Sequence, residues 1–241
     1  MSERLTAEAF SALQRGRRST RDFQTREVPP DVLERVIEDV KWSPSWSNTQ
    51  PYVLALATGE KLDRLRTAYL QLFDDSLPVQ HGGWWAKFKM AVSRKGAPDG
   101  DFRTTIPYPQ ELQPFRRATG FGLYSLLGID RKDRQARDDQ MRRNFEFFGA
   151  PAVFFVFVHG GLKQWAVQDG GIVLQSLMLS LEANGLGSCA QGAIATWASP
   201  LRKEFDIPED YKFTCALAFG YASDAVINTY NPGRRDVKVY R

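Results

Sequence analysis

Apolar residues follow a helical period in several segments of the chain, with one face apolar and the opposite face polar. Leu33, Val36, Ile37 and Val40 form such a stripe, which predicts a helix that follows Pro29-Pro30 and has Asp31 as its cap. The same reasoning predicts helices over residues 6–14, 60–72, 115–127, 130–148 and 165–184, and a short helix capped by Ser199 with Pro200 in its first turn.

Short apolar runs predict strands over residues 52–57, 152–158 and 213–220. The run at 152–158 has no polar position, which indicates a strand buried on both faces. The helix at 165–184 is apolar nearly all round from Ile172 to Leu181, so we expect it inside a domain or at an interface. Residues 73–114 show no sustained period, and their aromatic side chains predict an irregular cover that packs on the domain.

The order of these elements predicts an α+β layered domain. Two helices precede the first strand and a pair of helices lies in mid-chain, which does not fit a regular βαβ winding. No Gly-x-Gly-x-x-Gly follows the first strand, so a Rossmann site is not expected. We predict a single domain over residues 1–241, with an active-site cover insertion at about 73–115 and a C-terminal arm at about 224–241.

Composition places the chain among globular proteins. Of its 241 residues, 43% are apolar and 25% charged, which excludes a disordered chain. Cys189 and Cys215, its two cysteines, exclude a disulfide framework and a cysteine-only metal site, and His81 and His159 lack partners at metal-ligand spacing. With no apolar run of membrane length and no signal-peptide pattern, we expect a cytoplasmic protein that does not enter a membrane.

The net charge of +4 is mild, and both signs are mixed along the chain. This suits an enzyme that receives anionic ligands better than a nucleic-acid-binding protein, whose excess charge gathers on one face. A basic nucleic-acid module built from residues 15–21 and 131–143 is the rival interpretation, and salt-sensitive duplex binding would support it.

Four segments carry candidate chemistry. Arg17-Arg18-Ser19-Thr20-Arg21 offers forked guanidinium donors and hydroxyls that suit an anion such as phosphate, although a solvated surface run is equally ordinary. A polar loop at 43–52 and a small-residue segment at 185–193 can approach a ligand closely, or can be a capping loop and a packed strand. Arg234-Arg235 is a second basic pair that could join the first.

Together the four segments resemble the nitroreductase-like family of FMN-dependent oxidoreductases. The matching order is Arg-Arg-Ser-x-Arg, Pro-Ser-x-x-Asn-Thr-Gln-Pro, Gly-Leu-Gly-Ser-Cys and a late Arg before Val, and the likeness covers nearly the whole chain. Residues 108–112 and 122–129 are similar to the bacterial nitrobenzoate-reductase-type branch. The resemblance implies a layered fold whose central, mainly antiparallel sheet is flanked by helices, with a long helix that forms the interface of a homodimer.

The resemblance also implies one FMN per active site, held at the dimer interface and lined by both chains. Arg17 and Ser19 would contact the FMN phosphate, Arg18 would lie along the ring or phosphate edge, and Arg234 would reach the phosphate from the tail. The tail departs from the family's Arg-x-Pro pattern, so Arg235 is the alternative to Arg234.

At the ring end, the resemblance places Arg21 near the pyrimidine edge of the isoalloxazine, where a cation favours the negative charge that develops on reduction. The remaining residues that it implies for cofactor binding are Ser45, Asn48, Ala190, Gln191 and Gly192. The first two belong to the Pro-Ser loop, and the backbone of the other three would face the reactive ring nitrogen.

The implied reaction is a ping-pong hydride transfer in which NADH or NADPH reduces the flavin and a nitroaromatic acceptor then takes electrons from it. No protein acid, nucleophile or metal is required, so we predict no catalytic residue. Trp84, Tyr108 and Tyr124 are candidates to stack on the acceptor, and Arg116 or Arg117 could hold a substrate carboxylate.

Other functions remain open on the same scaffold: a reductive dehalogenase, an ene reductase, a flavin-fragmenting enzyme, or a flavin-binding protein without turnover. The deiodinase branch grips its substrate with a Glu, Tyr and Lys trio on its lid. We find no such trio in residues 73–115, which makes that alternative less favoured.

Overall fold

The computed structural model describes residues 5–241, which form helices around one four-stranded sheet. The helices are α1 Ala7–Gly16, α2 Pro30–Val40, α3 Gly59–Gln80, α4 Trp84–Ser93, α5 Gln113–Leu126, α6 Arg134–Phe145, α7 Gln164–Ala183 and α8 Ser199–Glu204. The strands are β1 Tyr52–Thr58, β2 Ala152–His159, β3 Gly187–Gln191 and β4 Tyr211–Gly220. Among the helices of this described part, none is long and apolar enough to cross a membrane.

The sheet has the order β1-β2-β4-β3, and every neighbouring pair is antiparallel. β2 is buried on both faces as predicted, because its alternate side chains enter two different cores. Phe155 and Phe157 point into one core, whereas Phe154 and Val156 point into the other. The predicted α+β class with an antiparallel central sheet is confirmed.

Helices cover both faces of the sheet. On one face, α3 contributes Leu65 and Tyr69 to the larger core, together with Trp197 from the segment before α8. On the other face, α2 and α7 pack together over β2, and Leu177 of α7 is fully buried. Only one face of this apolar helix is buried in the domain, and Ile172, Leu174 and Met178 on its other side are half-buried, so its part in a dimer interface stays a prediction.

The prediction that residues 73–114 are irregular is wrong. α3 continues through Phe73 and Ser76, which are buried on the face that Leu65 and Tyr69 begin, so the apolar period runs on past residue 72. Pro78 lies within the last turn of α3, so the hydrogen bond that its missing N–H cannot make is lost at the end of the helix and not in its middle. A further helix, α4, follows, and the stretch between α4 and residue 109 is without helix or strand.

The aromatic residues of α4 are exposed within one chain and do not show the packing that we expected of them, whereas the active-site cover at about 73–115 stays a prediction. Trp84 and Trp85 stack on each other, with ring centroids 3.9 Å apart, and are 65% and 66% exposed. Phe88 is 57% exposed. The single-domain prediction over 1–241, whose first four residues lie outside the described part, stays a prediction.

Two predicted helix caps are also wrong. Asp31 is in the first turn of α2, behind Pro29 at the cap position, and it pairs with Arg35 at 3.6 Å. At α8, Ser199 is the first helical residue, and the Asp99 carboxylate accepts hydrogen bonds from the backbone N–H groups of Ala198 (2.7 Å) and Ser199 (3.3 Å). Asp99, a hundred positions away, therefore caps α8 in place of a neighbouring side chain. Local sequence patterns do not reveal such a distant cap.

Candidate functional site

A cavity of about 490 Å³, called here the arginine cavity, collects basic residues from both ends of the chain. It lies between the end of α1 and the C-terminal tail. Its polar lining includes Gln14, Arg15, Arg17, Arg18, Ser19, Arg21, Gln175 and Arg234. The structure thus brings the first and fourth candidate segments together, as their assignment to one anion requires.

Backbone pairing with β3 positions the arginine segment. The N–H of Thr20 donates to the carbonyl oxygen of Ser188 at 2.9 Å, and Ser19 forms a parallel bridge with the same residue. Gly187 permits this approach, because a Cβ there would stand 2.3 Å from Thr20 Oγ1. The glycine is therefore explained by packing within the chain.

Asn228 holds the C-terminal tail against the arginine segment. Its Oδ1 accepts from the backbone N–H of Arg21 (2.8 Å), and its Nδ2 donates to the carbonyl oxygens of Asp22 (2.8 Å) and Ser223 (3.0 Å). Sequence reasoning missed this residue, because a lone Asn between two coil segments carries no pattern that marks a long-range contact.

Tyr230 fixes the next part of the tail. Its hydroxyl donates to the carbonyl oxygen of Thr119 on α5 at 3.1 Å. Its ring lies so close to Gly122 that a Cβ there would stand 2.6 Å from the Tyr230 hydroxyl oxygen. From this anchor the tail runs to Arg234, which lines the arginine cavity.

The arginine cavity carries positive charge that carboxylates do not neutralise. Within the described residues, none of its guanidiniums has a carboxylate oxygen within 4.0 Å, in contrast with Arg142 and Arg143 on α6. Burial raises the pKa of the Glu182 carboxyl, and the charges of Arg17 and Arg18 act in the opposite direction. Convergent, unpaired guanidiniums favour a bound anion.

A second cavity of about 1050 Å³, called here the apolar cavity, opens under the segment between α4 and α5. Phe145 and Trp197 form part of its wall, and Gly192 and Ala193 enter it from the end of β3. This cavity is large enough for aromatic ligands, and its mostly apolar lining favours them.

β3 connects the two cavities. Ser188 adjoins the arginine segment and Gly192 lies at the apolar cavity, about 13 Å farther along an extended strand. Gly192 and Ala190 are exposed, and a Cβ at Gly192 would meet nothing within 4 Å, so its lack of a side chain is not required by packing. The backbone here is open to a ligand face.

Two buried oxygens on β3 lack partners. The Oγ of Ser188 and the Oε1 of Gln191 accept no hydrogen bond from the described residues, although Gln191 Nε2 donates to the Asn144 carbonyl oxygen at 2.7 Å. Unpaired buried polar atoms are uncommon in folded proteins. The arginine cavity offers guanidinium donors at one end of β3, and exposed backbone lies at its other end. With the two unpaired oxygens between them, these features fit an elongated ligand that has a phosphate and a planar ring, such as FMN.

Ser45 and Asn48 do not join these cavities within one chain. Ser45 Oγ accepts from the Gln50 N–H at 2.9 Å, and neither Ser45 nor Asn48 is among the described residues that line the two cavities. The loop that carries them is unusual, because Ser47, Asn48 and Gln50 all have left-handed backbones with φ of 49°, 55° and 48°.

Asp169 of α7 anchors this loop and was missed by sequence reasoning. It is 3% exposed, and its two carboxylate oxygens accept from the Trp46 N–H at 3.2 and 3.1 Å. The Trp46 and Trp165 rings also pack together, with centroids 4.4 Å apart. A charged residue in an otherwise apolar helix was the available signal, since such a residue is rarely buried without a partner.

The candidate acceptor-binding residues separate into two groups. Tyr108 and Arg116 line the apolar cavity, whereas Trp84, Arg117 and Tyr124 do not. Arg117 instead donates to Gln113 Oε1 at 3.0 Å.

The two arginines of the tail, Arg234 and Arg235, lie at different places. The Arg235 guanidinium lies 3.8 Å over the Phe115 ring, so Arg234 is the tail residue at the arginine cavity. What these residues bind stays a prediction.

The two histidines contact groups of the chain itself, and the two cysteines are free thiols. His81 Nε2 lies 2.7 Å from Asp138 Oδ2, and His159 Nδ1 accepts from the Gly161 N–H. Burial raises the pKa of Cys189 to about 11 and that of Cys215 to about 12, and both cysteines are free thiols. The described residues contain no cluster that could hold a metal ion.

Comparison with known proteins gives consistent matches over nearly the whole chain. The Nitroreductase family model matches residues 15–221. The chain is 30% identical over 230 residues to nitroreductase NfnB of Mycolicibacterium smegmatis, covering 92% of this chain and 87% of that protein. It is also 30% identical over 215 residues to a 4-nitrobenzoate reductase of a Nocardioides species, covering 89% and 81%.

A solved structure also matches. It is that of the FMN-dependent nitroreductase NfnB from Mycobacterium smegmatis in complex with NADPH, which superposes with a TM-score of 0.80 at 29% identity. The match covers 98% of this chain and 99% of the other.

Proposed function

Because the chain belongs to the nitroreductase family, we propose that it is an FMN-dependent NAD(P)H oxidoreductase that reduces nitroaromatic compounds by a ping-pong mechanism. The observation that carries this proposal is the convergence of Arg17, Arg21 and Arg234 on one cavity without carboxylate partners. The matched relatives that are named as nitroreductases and a 4-nitrobenzoate reductase support the acceptor class, and the matched FMN-dependent enzyme in complex with NADPH supports the cofactor and the donor.

The residues of the arginine cavity would hold the FMN phosphate. Arg17 and Ser19 approach from the end of α1 and Arg234 from the tail, and a guanidinium can donate two parallel hydrogen bonds to phosphate oxygens. Arg18 adds further positive charge. Arg21, expected from the resemblance at the pyrimidine edge of the ring, lines the same cavity, and its Nη1 donates to the Ser19 carbonyl oxygen at 3.3 Å.

The ring would lie where β3 ends. Ala190 and Gly192 are exposed there on either side of the buried Gln191, and Gly192 adjoins the apolar cavity in which donor and acceptor would bind in turn. FMN held there would supply the redox chemistry, which is hydride acceptance from NADH or NADPH and donation of electron pairs to the nitro group. The apolar walls of the cavity would orient the bound donor or nitroaromatic acceptor and keep water away from it.

We also propose a homodimer, in which Ser45 and Asn48 reach the site of the partner subunit. Both lie on an exposed, left-handed loop outside the cavities of their own chain. Trp42, Trp46 and Trp165 are exposed around this loop, and exposed clusters of large apolar residues mark interaction surfaces. Light scattering on the protein as it elutes from a size-exclusion column should give twice the mass of one chain.

A cytoplasmic location is part of the proposal, because two free thiols, one buried and one half-buried, suit a reducing compartment. Cell fractionation would test it.

Purified protein tests the function directly. We expect a yellow preparation with stoichiometric FMN that, without oxygen, oxidises one equivalent of NADPH or NADH per flavin and oxidises more only when a nitroaromatic acceptor such as nitrobenzene is supplied. Arg17→Ala and Arg234→Ala should each weaken FMN binding by about tenfold or more, the cost of removing a charged hydrogen-bond donor. Colourless protein that stays colourless after incubation with FMN would refute the proposal. Yellow protein without nitroaromatic turnover would favour another flavin reaction on the same fold.

A further inference from the structure

Arg116 is the one charged residue among those that line the apolar cavity in the described part of the chain. Its guanidinium carbon lies 4.9 Å over the ring of Tyr108, another lining residue. No carboxylate of the described residues lies within ion-pair distance of it. Arg116 and Tyr108 are both exposed, so an unpaired cation lies over an aromatic ring at the solvent edge of an apolar space.

The neighbouring Arg117 differs from Arg116 in its contacts. Arg117 carries the same charge on the same helix, but its guanidinium donates to Oε1 of Gln113, which lines the cavity, and Arg117 is not itself a lining residue. Sequence alone left both residues open, because Arg116 and Arg117 lie three and four positions after Gln113, on neighbouring parts of one helix face.

The surroundings of Arg116 indicate what it would bind. The cavity wall supplies aromatic and aliphatic surface, and Gly192 brings the cavity to the end of β3. A ligand that fills it would place an aromatic ring against the apolar wall and an anionic group at Arg116. A carboxylate matches the planar, forked donors of a guanidinium.

We propose that Arg116 is a specificity-determining residue that binds the carboxylate of an aromatic nitro acceptor, so that the enzyme prefers nitrobenzoates to neutral nitroarenes. This inference rests on the proposed function and names its substrate class. Arg116 takes no part in electron transfer. It lowers the KM of acceptors that carry a carboxylate, because the ion pair forms on binding.

A nicotinamide nucleotide could bring an anion to the same place, since donor and acceptor occupy the site in turn. The shared chemistry is an oxyanion at Arg116, and the two sources are the acceptor carboxylate and a nucleotide phosphate. Measuring KM for NADPH and NADH beside KM for the acceptors separates them.

The test compares Arg116→Gln with Arg117→Gln, which removes the same charge one position away. Steady-state kinetics use 4-nitrobenzoate and nitrobenzene as acceptors. We expect Arg116→Gln to raise KM for 4-nitrobenzoate about tenfold, as for a lost charged hydrogen bond, with less than a twofold change for nitrobenzene. Arg117→Gln should change neither KM by more than about twofold. Arg116→Lys keeps the charge without the fork and should lie between wild type and Arg116→Gln.

Flavin content and nitrobenzene turnover keep the inference distinct from the proposed function. Wild-type protein that binds no FMN, or that reduces neither acceptor, fails the proposed function. Wild-type protein that reduces nitrobenzene, with equal KM changes for both acceptors in Arg116→Gln, overturns only the carboxylate assignment. A rise in KM for NADPH with 4-nitrobenzoate unaffected overturns it as well, in favour of a nucleotide phosphate. Should Arg116→Gln fail to fold, Arg116→Lys decides the matter: an unchanged KM ratio of the two acceptors would contradict the proposal.

Discussion

Asn228 shows how one neutral side chain can place charges that are far apart in sequence. It satisfies the N–H of Arg21 and two carbonyl groups with a single amide. The mutual repulsion of the guanidiniums would push the tail away from α1, and this amide, together with Tyr230, opposes that repulsion. The anion site therefore depends on a residue that carries no charge.

Asn228→Ala should lower the affinity for FMN by about tenfold. The change leaves the partly buried Arg21 N–H without its partner and frees the tail, at a cost near the lower end of the roughly 1–3 kcal/mol of an unsatisfied buried donor. Quenching of flavin fluorescence on titration of apoprotein measures the dissociation constant. Thr229→Ala is the control, because Thr229 is the next residue, is exposed and bonds only within its own turn. A lowered Tm with unchanged FMN affinity would contradict the positioning role.

At the scale of elements, the loop at 45–50 is held in a conformation that its own sequence does not favour. Left-handed backbone costs about 1 kcal/mol or more at each non-glycine residue, and three such residues lie within four positions. The Trp46–Asp169 hydrogen bonds and the Trp46–Trp165 contact must offset this cost. Strain kept in this way is typical of functional loops.

Asp169→Ala should release the loop and weaken FMN binding in the assembled protein, because Ser45 and Asn48 would lose their fixed positions. Loss of the Trp46–Trp165 contact should alter the tryptophan fluorescence in parallel. Asp169→Asn has nearly the same volume and keeps one acceptor oxygen for the Trp46 N–H. It should therefore keep more of the FMN affinity than Asp169→Ala does. The control is Gln168→Ala, at an exposed neighbouring position. FMN affinity equal to wild type in Asp169→Ala would rule out the positioning role.

Periodicity predicted most of the elements, and its failures have physical causes. β2 was predictable because burial on both faces leaves no polar position in residues 152–158. The end of α3 was missed because Pro78 and the following glycines suggested a loop, while the buried face through Phe73 and Ser76 continued. Asp99 at the start of α8 was not predictable, since a cap supplied from a distant loop depends on the tertiary fold.

At the scale of the whole molecule, the candidate site could be predicted only as separate segments. The composition of residues 17–21 and of the tail indicated anion binding, but their proximity depends on Asn228 and Tyr230. Sequence could not choose between Arg234 and Arg235, because the outcome is set by Phe115, which takes the second guanidinium. Fold class follows from local patterns, whereas the assembly of a site follows from long-range contacts.

The unpaired charges of the arginine cavity set stability and cofactor binding against each other. Like charges within one cavity repel when no anion is present, so removing one of them should stabilise the protein without FMN while it weakens FMN binding. Arg17→Gln should thus raise the Tm of the apoprotein by about 1–2 °C, which corresponds to about 0.5 kcal/mol for a chain of this length. With excess FMN the order should reverse, because the wild type gains more free energy from the bound nucleotide. Thermal unfolding with and without FMN checks both halves, and added salt should shrink the apoprotein difference by screening. A variant that is less stable than wild type in both states would show that Arg17 serves packing and does not belong to a repelling set of charges.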